Sequence, residues 1–151
     1  MLNFYNNIIT DIKVLEKVKF EKLEILLLER NKITDINILE KVNFKELKKL
    51  NLANNNISDI KVLERAKFEK LEELDLSKNQ IKAINVLEKV NFKKLKILIL
   101  DGNKISDIKV LEKVKIGRFK NIQLTNNEID KFKFNSLINN LNSKFHNKFY
   151  I

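Results

Sequence analysis

Three groups of residues in this 151-residue chain have side chains of the kinds that chemistry uses, and their settings argue against all three. Glu72, Glu73 and Asp75 place carboxylates close enough for acid–base catalysis or a hard cation. His146 is the only histidine, so a zinc site or an activated nucleophile would have to be built around one imidazole. It is expected to be an ordinary polar residue. Gly102-Asn103-Lys104-Ile105-Ser106 joins Gly, Lys and a hydroxyl without the spacing of a phosphate-cradling loop. With no cysteine there is no thiolate nucleophile, thiolate ligand or disulfide. The expectation is a non-enzymatic chain with no catalytic residue, metal or cofactor.

The elements that must position any functional side chain are set by a repeat. Leu47-Lys48-Lys49-Leu50-Asn51-Leu52-Ala53-Asn54-Asn55-Asn56-Ile57 reads L-x-x-L-x-L-x-x-N-x-I and recurs with a constant 24-residue period. Copies begin at Leu23, Leu71, Leu95 and, with substitutions, Phe119. Leu2, Phe4, Asn7 and Ile9 fit the second half of a copy whose beginning is missing, so the chain is also compatible with a fragment of a longer array. In Leu74-Asp75-Leu76, apolar and polar residues alternate as in a short strand with one buried face. Ser58-Asp59 follows as a helix start, and Ile60, Leu63 and Ala66 are spaced as the buried stripe of a short α or 3₁₀ helix. Neither element buries its apolar side alone, so coils must stack, with a parallel sheet on one side and helices on the other.

This motif, with its Asn and its Ile33-x-x-Ile36-x-x-Leu39 continuation, resembles the leucine-rich repeat family over about residues 2–134. It is most similar to the subclass of about 22 residues found in a phosphatase regulatory subunit and in bacterial internalins, here lengthened by two positions. The resemblance implies an α/β fold: a right-handed, curved solenoid with a concave parallel sheet and short helices on the convex side. Asn135-Ser136-Leu137-Ile138-Asn139-Asn140-Leu141-Asn142 reads as a helix and Lys148-Phe149-Tyr150-Ile151 as one last strand, so residues 135–151 are expected to cap a single domain spanning 1–151.

Two kinds of column follow from stacking equivalent positions of successive copies. Asn7, Asn31, Asn55, Asn79, Asn103 and Asn127 form a structural ladder, because an amide that both donates and accepts can satisfy backbone groups of two coils. Charged columns alternate: Glu24, Lys48, Glu72, Lys96 and Glu21, Lys45, Glu69, Lys93. A double repeat of two coils therefore underlies the single one and separates like charges. Glu16, Glu40, Glu64, Glu88 and Glu112 break the rule, beside a compensating column of Lys17, Lys41, Arg65, Lys89 and Lys113.

The outward positions of the strands are the candidate site: Ile25, Leu27, Lys49, Asn51, Glu73, Asp75, Ile97 and Ile99. These positions vary while the core positions do not, and Ile25 with Leu27 and Ile97 with Ile99 begin apolar patches. Arg30, Lys48, Lys49, Lys78, Lys96 and Lys120 on this face balance Glu24, Glu29, Glu72, Glu73, Asp75 and Asp101. The net charge of +10 therefore lies on the convex side, flanks and termini. The expected function is binding another protein through the concave face, as similar repeats commonly do. The alternatives are capture of nucleic acid or acidic lipid by convex lysines, and a structural segment of a longer array. Interleaved Glu and the scarcity of exposed aromatics disfavour nucleic acid. Without a signal peptide or an apolar run of roughly 18–20 residues, the chain is expected to be an intracellular, cytoplasmic monomer.

Overall fold

The computed structural model describes residues 1–114, 120–144 and 148–150. Expectations about Phe119, His146 and Ile151 lie outside the described residues. Seven short strands, β1 (Leu2–Asn3), β2 (Ile25–Leu27), β3 (Lys49–Asn51), β4 (Glu73–Asp75), β5 (Ile97–Ile99), β6 (Asn121–Gln123) and β7 (Lys148–Tyr150), form one parallel sheet in sequence order. From β1 to β6 every residue pairs with its equivalent in the next copy, as in Leu26↔Leu50, Leu50↔Leu74 and Leu74↔Leu98. The repeat length is thus the sheet register. This is an open leucine-rich repeat solenoid with its sheet on the concave side.

Each return path runs through a four-residue 3₁₀ helix: Lys13–Glu16, Asn37–Glu40, Lys61–Glu64, Asn85–Glu88 and Lys109–Glu112. Ser58 is not the cap expected from the sequence. The N-cap position is Ile60, which has no side-chain cap bond. Instead, Asp59 Oδ1 accepts the N–H of Lys61 at 2.8 Å, tightening the turn into the helix. Asp11, Asp35 and Asp107 repeat the contact at Lys13, Asn37 and Lys109. In the fourth helix Ala83 occupies the corresponding place.

The core is continuous from end to end. Leu26, Leu50, Leu74 and Leu98 point inward from the strands and meet Ile36, Ile60, Ile84 and Ile108 from the helix side. Phe44, Phe68 and Phe92 fill the space below each strand entry. Ring contacts join Phe20 to Phe44 and Phe68 to Phe92, at centroid distances of 6.4 and 5.7 Å. At the far end an α-helix, α1 (Lys131–Lys144), replaces the 3₁₀ turn and starts earlier than the expected 135. Phe132 and Phe134 both fit apolar positions of the repeat by their spacing, but α1 buries Phe134 and Leu137 and leaves Phe132 88% exposed.

The Asn ladder takes the two-coil form expected from the sequence. Asn79 Nδ2 donates to Leu76 O and Ser77 O in its own coil and to Leu52 O in the preceding one, while Oδ1 accepts the N–H of Ile57 at 3.0 Å. Asn31, Asn55 and Asn103 repeat the pattern and are buried. Leu52 O consequently accepts from two amides, those of Asn55 and Asn79. Among the described residues the Asn7 side chain donates only to Phe4 O and Tyr5 O of its own turn, and the residue is exposed.

Each turn bearing the ladder also contains a left-handed residue, one position before the Asn. Asn6, Arg30, Asn54, Lys78, Gly102 and Asn126 have φ between +52° and +65°. Gly102 and the asparagines suit this conformation; Arg30 and Lys78 adopt it at a steric cost.

Substitutions in these turns should separate the two effects. Asn79→Ala leaves the buried Ile57 N–H without its acceptor and should cost about 1–3 kcal/mol, whereas Asn7→Ala should be nearly neutral in the same denaturant titration. Lys78→Gly relieves the left-handed strain and should raise stability by roughly 0.5–1 kcal/mol, despite glycine's greater freedom in the unfolded chain.

Candidate protein-interaction surface

Because successive side chains of a strand face opposite ways, inward Leu50 and Leu74 send their neighbours out to the concave face. Pairing aligns these neighbours as two rows: Ile25, Lys49, Glu73, Ile97, Asn121 and Leu27, Asn51, Asp75, Ile99, Gln123. All eight residues expected at the site therefore lie on one sheet face. Seven are half-buried; Asn51 is only 7% exposed. Its Nδ2 donates to Glu29 and its Oδ1 accepts the N–H of Ala53, so its amide is committed to its own sheet.

The two apolar pairs do not form a single patch. Parallel register leaves β3 and β4 between them, a separation of about 14 Å at the usual strand spacing. The intervening rows are polar and largely self-satisfied. Lys49 and Glu73 form an ion pair at 2.8 Å, and Asp75 Oδ1 accepts the N–H of Ser77 at 2.9 Å. Ile97 and Ile99 lie beside Glu73 and Asp75 on one side and Asn121 and Gln123 on the other. Asn121 Oδ1 is buried and has no hydrogen-bond partner among the described residues.

Sequence reasoning missed an extension of the first apolar pair. Tyr5 is 42% exposed, and Arg30 stacks over its ring at 5.5 Å from the centroid. The signal was present: Tyr5 is the only aromatic in a column that continues with Glu29, Ala53, Ser77, Asp101 and Thr125. Ile8, 79% exposed, likewise stands where Lys32, Asn56, Gln80 and Lys104 follow. A tyrosine and an arginine beside exposed aliphatics are residue types enriched in protein interfaces.

Part of the charged columns becomes ion pairs, while among the described residues none forms along Glu21, Lys45, Glu69 and Lys93. Lys48 reaches Glu24 at 2.8 Å, Lys96 reaches Glu72 at 2.7 Å and Lys70 reaches Glu46 at 2.6 Å, each at the equivalent position of the preceding coil. On the convex side the pairing is offset by one position: Lys41 with Glu16, Arg65 with Glu40, Lys89 with Glu64 and Lys113 with Glu88. The like-charged glutamate column is thus neutralised by the cations of the next coil, as the sequence implies. The hydrogen bond from Lys70 holds the Glu46 carboxyl below the usual carboxylate range, and that from Lys96 does the same for Glu72. The bond to Glu24 raises Lys48 above the ordinary lysine value. The carboxylates of Glu72 and Glu73 answer lysines, which favours a salt-bridged surface over acid–base machinery. Among the described residues, no group of three or more His, Asp or Glu side chains could hold a metal ion.

Short strands in constant register with the repeat, one face of leucines and a bonded Asn in every turn decide the fold. It is the fold of a leucine-rich repeat protein. The family model described as leucine-rich repeats in two copies matches residues 45–89 and 69–113. An internalin, inlF, from Listeria monocytogenes is similar over 97% of this chain, at 28% identity and a TM-score of 0.75. That match spans 39% of the internalin, so this leucine-rich repeat chain corresponds to well under half its length. Internalin C2 of the same organism matches 85% of the chain and is itself covered over 72%, at 20% identity and a TM-score of 0.53. A plant peptide hormone receptor, RGFR1, solved in complex with RGF2, matches 80% of the chain over 19% of its own, at 22% identity and a TM-score of 0.58. No curated protein sequence matches this one.

The depressed carboxyls give a pH prediction. A pKa lowered in the folded state stabilises above the unfolded value, and this contribution disappears as pH falls through the folded value. The melting temperature should therefore fall on acidification through and below the ordinary carboxylate range. A Glu46→Gln/Glu72→Gln variant, measured over the same pH series, should show a shallower acid limb.

Proposed function

We propose that this chain is a non-enzymatic protein–protein interaction module that binds its partner through the concave sheet face. Leucine-rich repeat folds commonly act in this way: the solenoid supplies an extended surface and grafted side chains supply specificity. The observation carrying the proposal is the pair of outward aliphatic rows, Ile25–Leu27 and Ile97–Ile99, on a sheet whose inward face is already filled by leucines. Packing the core requires nothing of these positions, and aliphatics there expose apolar surface that a partner can cover. Tyr5 and Arg30 extend the first row. In this reading residues 1–151 act as one monomeric domain, which we place in the cytoplasm. Among the described residues no helix is long and apolar enough to cross a membrane.

Anion capture by convex lysines is the weaker reading. Lys41, Arg65, Lys89 and Lys113 are each within ion-pair distance of a glutamate of the preceding coil, so a polyanion would have to displace those contacts. The two readings separate by salt, since polyanion binding weakens steeply as salt rises while an apolar contact does not.

Alternate residues of β5 should separate binding from folding. Ile97→Asp with Ile99→Asp should abolish partner capture by the natural full-length chain while leaving its melting temperature within a few degrees, as the equivalent position already tolerates Asp75. Leu98→Ala should cost about 2–5 kcal/mol through lost burial and a residual cavity. Capture unaffected by the double Asp variant would refute the concave-face reading.

A further inference from the structure

The concave rows also constrain the shape of what can lie on them. We infer that the face takes an extended peptide segment crossing the strands, with two apolar residues four apart and a lysine or arginine midway between them. This inference rests on the concave-face reading and specifies its partner.

The apolar rows belong to β2 and β5, three strand spacings or about 14 Å apart at the sheet. On the inner side of a curved sheet the side-chain tips converge, which shortens that span. An extended chain places residues i and i+4 on the same side about 13 Å apart. A helix matches poorly, because same-face residues recur at about 10.5 Å for i+7 and about 16.5 Å for i+11. An extended crossing segment can thus set one apolar side chain against Ile97–Ile99 and the other against Ile25–Leu27.

Charge selects the residue between them. Lys49 and Glu73 neutralise each other, and Asn51 is spent on Glu29 and Ala53. Asp75 keeps a half-exposed carboxylate that accepts one backbone N–H and has no cationic partner among the described residues. It is the uncompensated charge of the central rows, and it stands one strand from Ile99. A residue at i+2 of the segment faces the same side as the anchors, and a long basic side chain there reaches Asp75. An acidic one would meet an unneutralised carboxylate.

The test is selection of displayed random dodecapeptides on the intact immobilised chain, repeated on Asp75→Lys and on Ile97→Asp/Ile99→Asp. The expected result is enrichment of apolar-x-basic-x-apolar sequences. Asp75→Lys should turn the midway preference to Asp or Glu, with about a tenfold or greater change in affinity for matched synthetic peptides. The double Asp variant should enrich nothing. No enrichment on the wild-type chain overturns the inference, as does enrichment of a helical spacing or a midway residue indifferent to Asp75→Lys. Peptides of another spacing that are still lost on Ile97→Asp/Ile99→Asp would overturn this inference alone. Peptides indifferent to both variants would overturn the concave-face reading as well.

Discussion

Every coil of this protein must turn sharply at the end of its strand, and that turn buries backbone groups that no regular ladder reaches. The asparagine amide resolves the problem. Its oxygen takes a backbone N–H from the preceding coil, and its nitrogen is shared among carbonyls of both coils, as at Asn55 and Asn79. An unpaired donor in this dry setting carries a penalty comparable to a sizeable fraction of a domain's net stability. Since the bond accepted by the oxygen and one of those donated by the nitrogen cross between coils, the amides fix stacking register as well as turn geometry. The sheet, the filled core and the ion-pair ladders all depend on that constant register.

Much of this was legible in the chain because a repeat multiplies weak signals. A single leucine says little, but Leu26, Leu50, Leu74 and Leu98 at equal intervals specify an inward column, and the charge alternation at Glu24, Lys48, Glu72 and Lys96 places opposite charges in neighbouring coils. Backbone detail was less accessible. Ser58 is a good helix-start residue by type, yet the short 3₁₀ helix that follows is entered through Asp59. Arg30 and Lys78 carry no sign of a left-handed conformation; only the Asn and Gly elsewhere in their column reveal it.

The candidate surface was legible as a set of positions but not as a shape. Alternation identified which side chains leave the sheet, and the structure places all eight on one face. Knowing that Asn51 faces outward did not reveal that Glu29 and Ala53 engage its amide. Ile25 with Leu27 and Ile97 with Ile99 read as two pairs in the sequence, and the sheet order keeps two polar strands between them. Phe132 fits the apolar spacing, but it lies in the first turn of α1, which begins at Lys131, and is exposed there. Period predicts direction while an element continues; it fails where one element gives way to another.

The pairing of coils in twos bears on how such a chain can change length. Glu24 with Lys48, Glu72 with Lys96, and the ring contacts Phe20–Phe44 and Phe68–Phe92 join coils in twos, while Glu46 with Lys70 and Lys49 with Glu73 link one pair to the next. Loss of the single coil 44–67 would keep every leucine and asparagine column in place but set Glu24 against Glu72. Loss of the two coils 44–91 together would keep the core and set Glu24 against Lys96. Unequal exchange within a gene of this kind therefore meets little electrostatic resistance in steps of two coils and more in steps of one, so its viable descendants should differ in length by even numbers of repeats.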